Sequence, residues 1–88
     1  DPGNGATHYC LVIPDTAPPM KVLNLKLALM LEYNATLYGI SERRTGDDLR
    51  LNPDKDSPIQ AGSYIHYIAQ ERLLAEEIDW DKAARWQL

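Results

Sequence analysis

Apolar residues recur along this chain in two rhythms, and the change of rhythm marks the elements. His8 to Ile13 ends in three consecutive aliphatics, stopped by Pro14 and a turn-rich stretch through Pro19. A run this short, closed by a residue with no amide hydrogen, reads as a strand buried on both faces toward its end. From Lys21 to Tyr33 the spacing becomes helical. Leu23, Leu27, Met30 and Leu31 form one apolar row, Val22, Leu25 and Leu29 a second, and the polar residues are few. A surface helix of a monomer needs one apolar stripe about 100° wide; this helix has more, so it is either sandwiched within its own domain or faces a second subunit, and the small size of the domain favours the second subunit. Asn34 suits the left-handed residue that ends a helix. Thr36 to Ser41 is strand-forming, with Gly39 marking a bulge or a close backbone approach. Gly46 sits in a hairpin connection over 43–48, Leu49 to Leu51 forms a short return strand, and Ala61-Gly62 a turn. Ser63 to Gln70 then alternates, with Tyr64, His66 and Ile68 on one face and Ile65, Tyr67 and Ala69 on the other. It reads as an interior strand covered on both sides.

After Glu71 the pattern turns helical and acidic, with Asp79 placed to cap a short helix from Trp80 to Trp86. Trp80 and Trp86 either fold back onto the sheet or dock on a neighbour. The expected fold is α+β: a small mixed sheet with one main helix after the first strand, in the order β-α-β-β-β, and a C-terminal helical tail. Residues 1–6 form a lead-in rich in Gly and Pro, 7–70 the domain, and 71–88 the tail. At 88 residues such a domain buries only about 60–65% of the surface its unfolded chain exposes, a second reason to expect a partner.

Nine basic residues stand against thirteen acidic ones, for a net charge of −4. That balance argues against a nucleic-acid partner. The single cysteine, Cys10, excludes an intramolecular disulfide and a Cys-rich zinc site. No apolar run reaches the roughly 18 residues of a membrane span. The chain begins at Asp1 and is expected to be a piece of a longer protein.

Candidate chemistry is sparse. His8 and Cys10 share a strand face, yet two ligands do not make a metal site. His66 as a general base needs a neighbour that the sequence does not place, and a hydrogen-bonded core histidine is the plainer reading. Asn52, Asp54 and Asp56 alternate like the start of a calcium loop, but Ser57 stands at the glycine position and Ser63 at that of the bidentate glutamate. A turn held by aspartate side chains suffices there. Arg43 and Arg44 are either a solvated hairpin tip or a grip on an acidic ligand. No catalytic pair, metal site or cofactor is expected, and the chain does not read as an enzyme.

The order Ala35-Thr36-Leu37-Tyr38-Gly39-Ile40, a hairpin, Leu51-Asn52-Pro53-Asp54, Ile59-Gln60-Ala61-Gly62 and Tyr64-Ile65-His66-Tyr67-Ile68-Ala69 resembles the TrkA-C domain, the C-terminal lobe of the RCK domains that regulate potassium channels and transporters. The likeness runs from about Tyr9 to Gln70. It departs from the family pattern at Ser63, which stands where an Asp is usual, at Ala69 in place of a closing Gly, and at Asn34. The resemblance implies a regulatory lobe on the cytoplasmic face of the cell membrane, dimeric, in a parent protein that also carries a nucleotide-binding N-terminal lobe and a membrane pore. It also implies a small ligand, a cyclic dinucleotide or a divalent cation, between subunits. Ile13, Pro14, Pro19 and Lys21 are the candidate ligand-binding residues. Val22, Leu25, Leu27 and Leu29 are the candidate dimer interface on the apolar helix. The alternative is a free-standing small-molecule sensor, or an assembly module, attached to another transporter or effector.

Overall fold

A computed structural model describes residues 6–87; the expected lead-in, Ala6 apart, lies outside them. Strand β1 (Thr7–Val12) leads through a two-residue strand β2 (Met20–Lys21) into helix α1 (Val22–Tyr33). Strands β3 (Thr36–Ser41), β4 (Arg50–Leu51), β5 (Pro58–Ile59) and β6 (Tyr64–Ala69) follow. A 3₁₀ turn (Ala75–Glu77) and helix α2 (Trp80–Ala84) close the described chain. The main sheet has the order β1-β6-β3-β4, while β2 and β5 form a separate small ribbon. The expected α+β layout holds, with the refinement that every pairing is antiparallel. The last long strand, β6, inserts between β1 and β3, so α1 bridges two strands that run the same way without touching.

Register fixes which side chains meet. Tyr9 and Leu11 stand opposite Tyr67 and Ile65, and on the other flank Leu37 and Ile40 stand opposite the same two residues. Leu37 and Ile40 are three apart, which strict alternation forbids on one face. A register shift between Leu37 and Gly39 resolves this by adding one residue. Gly39 also meets its second expectation, since a Cβ there would lie 2.6 Å from Leu49 Cδ1 and 3.1 Å from the Arg50 carbonyl.

Helix α1 is covered by its own chain on three sides. Val22, Leu25 and Leu29 are buried in the core against the sheet. Leu23, Leu27 and Met30 line a groove floored by residues 52–55, part of a loop that is tied down where its carbonyls accept from the first helical amides: Val22 N–H to Ser57 at 2.9 Å and Leu23 N–H to Lys55 at 2.9 Å. Those are the donors that a helix start leaves without intrahelical partners. The third side takes the tail. Asn24 Nδ2 donates to the Trp86 carbonyl at 2.7 Å, Lys82 Nζ donates to Glu32 at 2.9 Å, and the Asp79 amide donates to the Tyr33 hydroxyl at 2.9 Å. Ala28, midway between Asn24 and Glu32, is buried with Trp80 and Ala83.

This overturns the expected dimer interface. Val22, Leu25, Leu27 and Leu29 are 2%, 0%, 7% and 0% exposed within a single chain, so they present no surface to a second one. The surplus of apolar positions is consumed by the loop and by the tail, whose tryptophans fold back. The large apolar residues that α1 leaves exposed are Met30 and Leu31. Asn34 caps the helix in the left-handed conformation, φ 54°, and Asp79 caps α2 by accepting from the Lys82 amide. The tail helix is shorter than expected and ends at Ala84.

Two further expectations are corrected. Strand β6 is covered on one face only: Ile65, Tyr67 and Ala69 are buried, while Tyr64, His66 and Ile68 remain half-exposed. Strand β1 is likewise buried on one face, with Leu11 and Ile13 inside and Val12 exposed. The cause is shared, because α1 and the tail lie on the same side of the sheet and no helix among the described residues crosses the other.

Trp80 is the test of the tail's role. Its indole donates to the Ala75 carbonyl at 3.0 Å and its ring is buried in the core. Trp80→Ala is expected to lower unfolding stability by about 3 kcal/mol, read as a fall in urea midpoint. An unchanged midpoint would mean that the tail is not part of the cooperative unit.

Candidate functional site

At its β1 edge the uncovered sheet face opens into a cleft of about 720 Å³, lined by residues 8–12 of β1, by Tyr38, Arg44, Tyr64 and His66, and by Arg72 to Ala75. Alternation along β1 sends His8, Cys10 and Val12 to this face, and register sets Cys10 opposite His66. The extra residue at Tyr38 reaches the same face. Its ring packs edge-on to His8 with centroids 5.2 Å apart, and its hydroxyl lies 3.2 Å from His8 Nδ1.

His66 is held by Ser41 and by the hairpin. Ser41 Oγ donates to the Arg43 carbonyl at 2.7 Å and lies 2.8 Å from His66 Nε2. A hydroxyl has one proton; with that proton on Arg43, His66 must carry its own on Nε2 and donate to Ser41. The hairpin that supplies this carbonyl is closed by Asp48, whose carboxylate accepts from the Glu42 amide at 2.8 Å and the Arg43 amide at 3.1 Å. Those backbone amides hold the Asp48 carboxyl below its ordinary range. Gly46, with φ 78°, turns the hairpin so closely that a Cβ there would lie 3.4 Å from His66 Cε1.

Burial pushes the His66 pKa down, against the opposing pull of Asp48. Burial pushes the Cys10 thiol up, although Arg44 lowers it. Cys10 Sγ lies 4.0 Å from His66 Nε2, whose single proton is already given to Ser41. A thiolate–imidazolium pair needs the opposite shifts in both groups. Ser41 is 0% exposed, so its oxygen cannot reach a bound molecule. These neighbours therefore lock one another's geometry.

Among the described residues no group of three or more His, Cys, Asp or Glu is placed to hold a metal ion. Asp54 accepts from the Asp56 amide at 3.2 Å and Asp56 faces Lys55 and Lys21, so the alternating acids form a turn with its own cations. The four candidate ligand residues differ in depth. Ile13 is buried, Pro14 half-buried, and Pro19 and Lys21 exposed, and none of them lines the sheet-face cleft or the α1 groove.

Charge distinguishes the sheet-face cleft. In a chain of net charge −4, it is lined by Arg44 and Arg72 and by no carboxylate among the described residues. The Arg72 guanidinium stacks 5.0 Å from the Tyr9 ring centroid. Of the lining residues, the sequence pointed to His8, Cys10, His66 and Arg44. Arg72 and Tyr38 were missed, because only the fold-back of residues 72–75 and the bulge bring them there. No sequence period reports either event.

His66 makes stability depend on pH. Its folded pKa lies below the unfolded value, so the unfolded chain binds the proton more readily and stability falls as pH drops through about 6.5. Urea midpoints at pH 7.5 and pH 5.5 are expected to differ in that direction, and His66→Gln is expected to shrink the difference. An equal difference in both proteins would remove His66 as its source.

Comparison of the chain with protein-family models, with curated proteins and with solved structures finds no match in any of the three.

Proposed function

We propose that this chain is a non-catalytic regulatory lobe of the TrkA-C kind, serving a potassium channel or transporter from the cytoplasmic side and coupling a bound ligand or partner to ion movement. The observation that carries this reading is the arrangement of the layers. One helix, entered from the first strand, seals one face of a four-stranded sheet in β-α-β-β-β order, and the opposite face is left open with a cleft on it. The motifs that carry the resemblance also do structural work. The loop after Leu51-Asn52-Pro53-Asp54 supplies carbonyls to the start of α1, and Ala61-Gly62 turns the chain into β6 with Gly62 at φ 89°. The non-catalytic reading is supported by the cleft's chemistry, in which a raised thiol and a lowered imidazole disfavour a thiolate–imidazolium pair.

Regulation in this reading is a difference in affinity. A molecule that binds one arrangement of paired lobes better than another shifts their equilibrium, with couplings of roughly 1–3 kcal/mol. The pairing surface is the exposed end of α1, with Met30 and Leu31, beside the groove of about 530 Å³ that Leu23, Leu27 and Met30 line with Pro53.

Two measurements test this. Sedimentation velocity of the 88-residue chain is expected to show a dimer that Met30→Asp with Leu31→Asp converts to a folded monomer. Deleting this lobe from the protein that carries it is expected to change the regulation of potassium flux in cells. A monomer at high concentration would refute the pairing surface, and unaltered potassium flux and regulation would refute the assignment.

A further inference from the structure

The long strand at the edge of the main sheet is β1, and nothing in the described chain pairs with its outer side. The Ile13 amide donates to the Ser63 carbonyl at 2.9 Å, and the Ile13 carbonyl accepts from the Gly62 amide at 2.8 Å. Both of its backbone groups thus face the β6 side. In antiparallel pairing this orientation alternates by two residues, so Leu11 and Tyr9 also turn toward β6. His8, Cys10 and Val12 turn their N–H and C=O groups outward.

Edge strands are usually blunted by proline, lysine or a bulge. Residues 7–12 contain no proline and no lysine, and their register with β6 is unbroken. The cleft takes in five successive residues, 8–12, from both faces of the strand. It therefore runs along the edge, with Arg44 on the open-face side and Arg72 on the other, where Arg72 stacks on Tyr9. Apolar surface is available on both sides, since Val12 and Leu74 are 42% and 46% exposed.

We propose that β1 accepts an extended acidic peptide segment of a partner protein as a fifth strand of the sheet. Three outward-facing residues supply its backbone hydrogen bonds, and the arginines on the two faces receive carboxylates from neighbouring side chains of the guest, which point to opposite faces. Charge selects this occupant over a second copy of β1. A second copy would bring two more arginines and no carboxylate into the cleft, whereas an acidic guest neutralises the pair already present. The inference stands on the strand edge and its arginines and does not rest on the potassium assignment.

The probe is the six-residue peptide Glu-Glu-Val-Val-Glu-Glu, which offers carboxylates to both faces, with fluorescein on its N-terminus and an amidated C-terminus, titrated with the 88-residue chain and read by fluorescence polarisation. Binding is expected to weaken with salt and to fall roughly fivefold for Arg44→Glu and for Arg72→Glu, both exposed positions. Two versions of the peptide decide the mode. N-methylation of alternate amides in the register that faces β1 is expected to abolish binding, and the same methylation shifted by one residue is expected to preserve it. Equal binding of both versions would overturn strand addition, leaving charge attraction alone. No binding of the unmethylated peptide at millimolar concentration, or equal binding of a lysine–valine peptide, would overturn the proposal outright.

Discussion

Everything in this molecule depends on burying α1. The helix is apolar almost all round, and a chain of 88 residues has one sheet to set against it. The solution is to use the sheet for one row, the loop over 52–55 for a second and the tail for a third. Polar ties hold each cover in place: loop carbonyls on the first helical amides, Asn24 on the Trp86 carbonyl, and Glu32 on Lys82. The Glu32–Lys82 pair is partly exposed and worth little alone. Its role is to orient the apolar surface that Trp80 and Ala83 bring.

Spending α1 and the C-terminal tail on one side of the sheet leaves the other side without a helix among the described residues. The open face is stabilised locally, by the edge-on His8–Tyr38 contact and by a chain of hydrogen bonds from His66 through Ser41 to the Arg43 carbonyl. No buried side-chain nitrogen or oxygen among the described residues lacks a partner. The polar groups around His66 are thus satisfied before anything binds. The recognition capacity that remains lies in groups still facing water: two guanidinium groups and the free backbone of a strand edge.

Much of the layout was legible in the sequence because short-range chemistry dictates it. Asn34 adopts the left-handed conformation that its side chain tolerates, Gly46 and Gly62 take positive φ where turns require it, and Asp79 caps the helix it precedes. The doubly apolar helix misled because periodicity reports how much of a helix is covered and says nothing of what covers it. Alternation in β6 likewise reported two semi-apolar faces, but the aromatic rings of Tyr64 and His66 are amphipathic and sit equally well in a half-open cleft. The Leu37–Gly39 bulge is the sharpest case. Thr36 to Ser41 reads as a plain strand, and only the partners across the sheet reveal that Leu37 and Ile40 must point the same way.

The Tyr67 hydroxyl joins the two halves of this account. It accepts from the Leu73 amide at 2.8 Å and lies 3.3 Å from the Leu73 carbonyl as donor, while its ring is wholly buried on the middle strand. One phenol therefore latches the segment leading into the tail to the centre of the sheet, close to the stretch that forms the lower wall of the cleft. Movement of the cleft's lower wall is thereby tied to the middle strand β6.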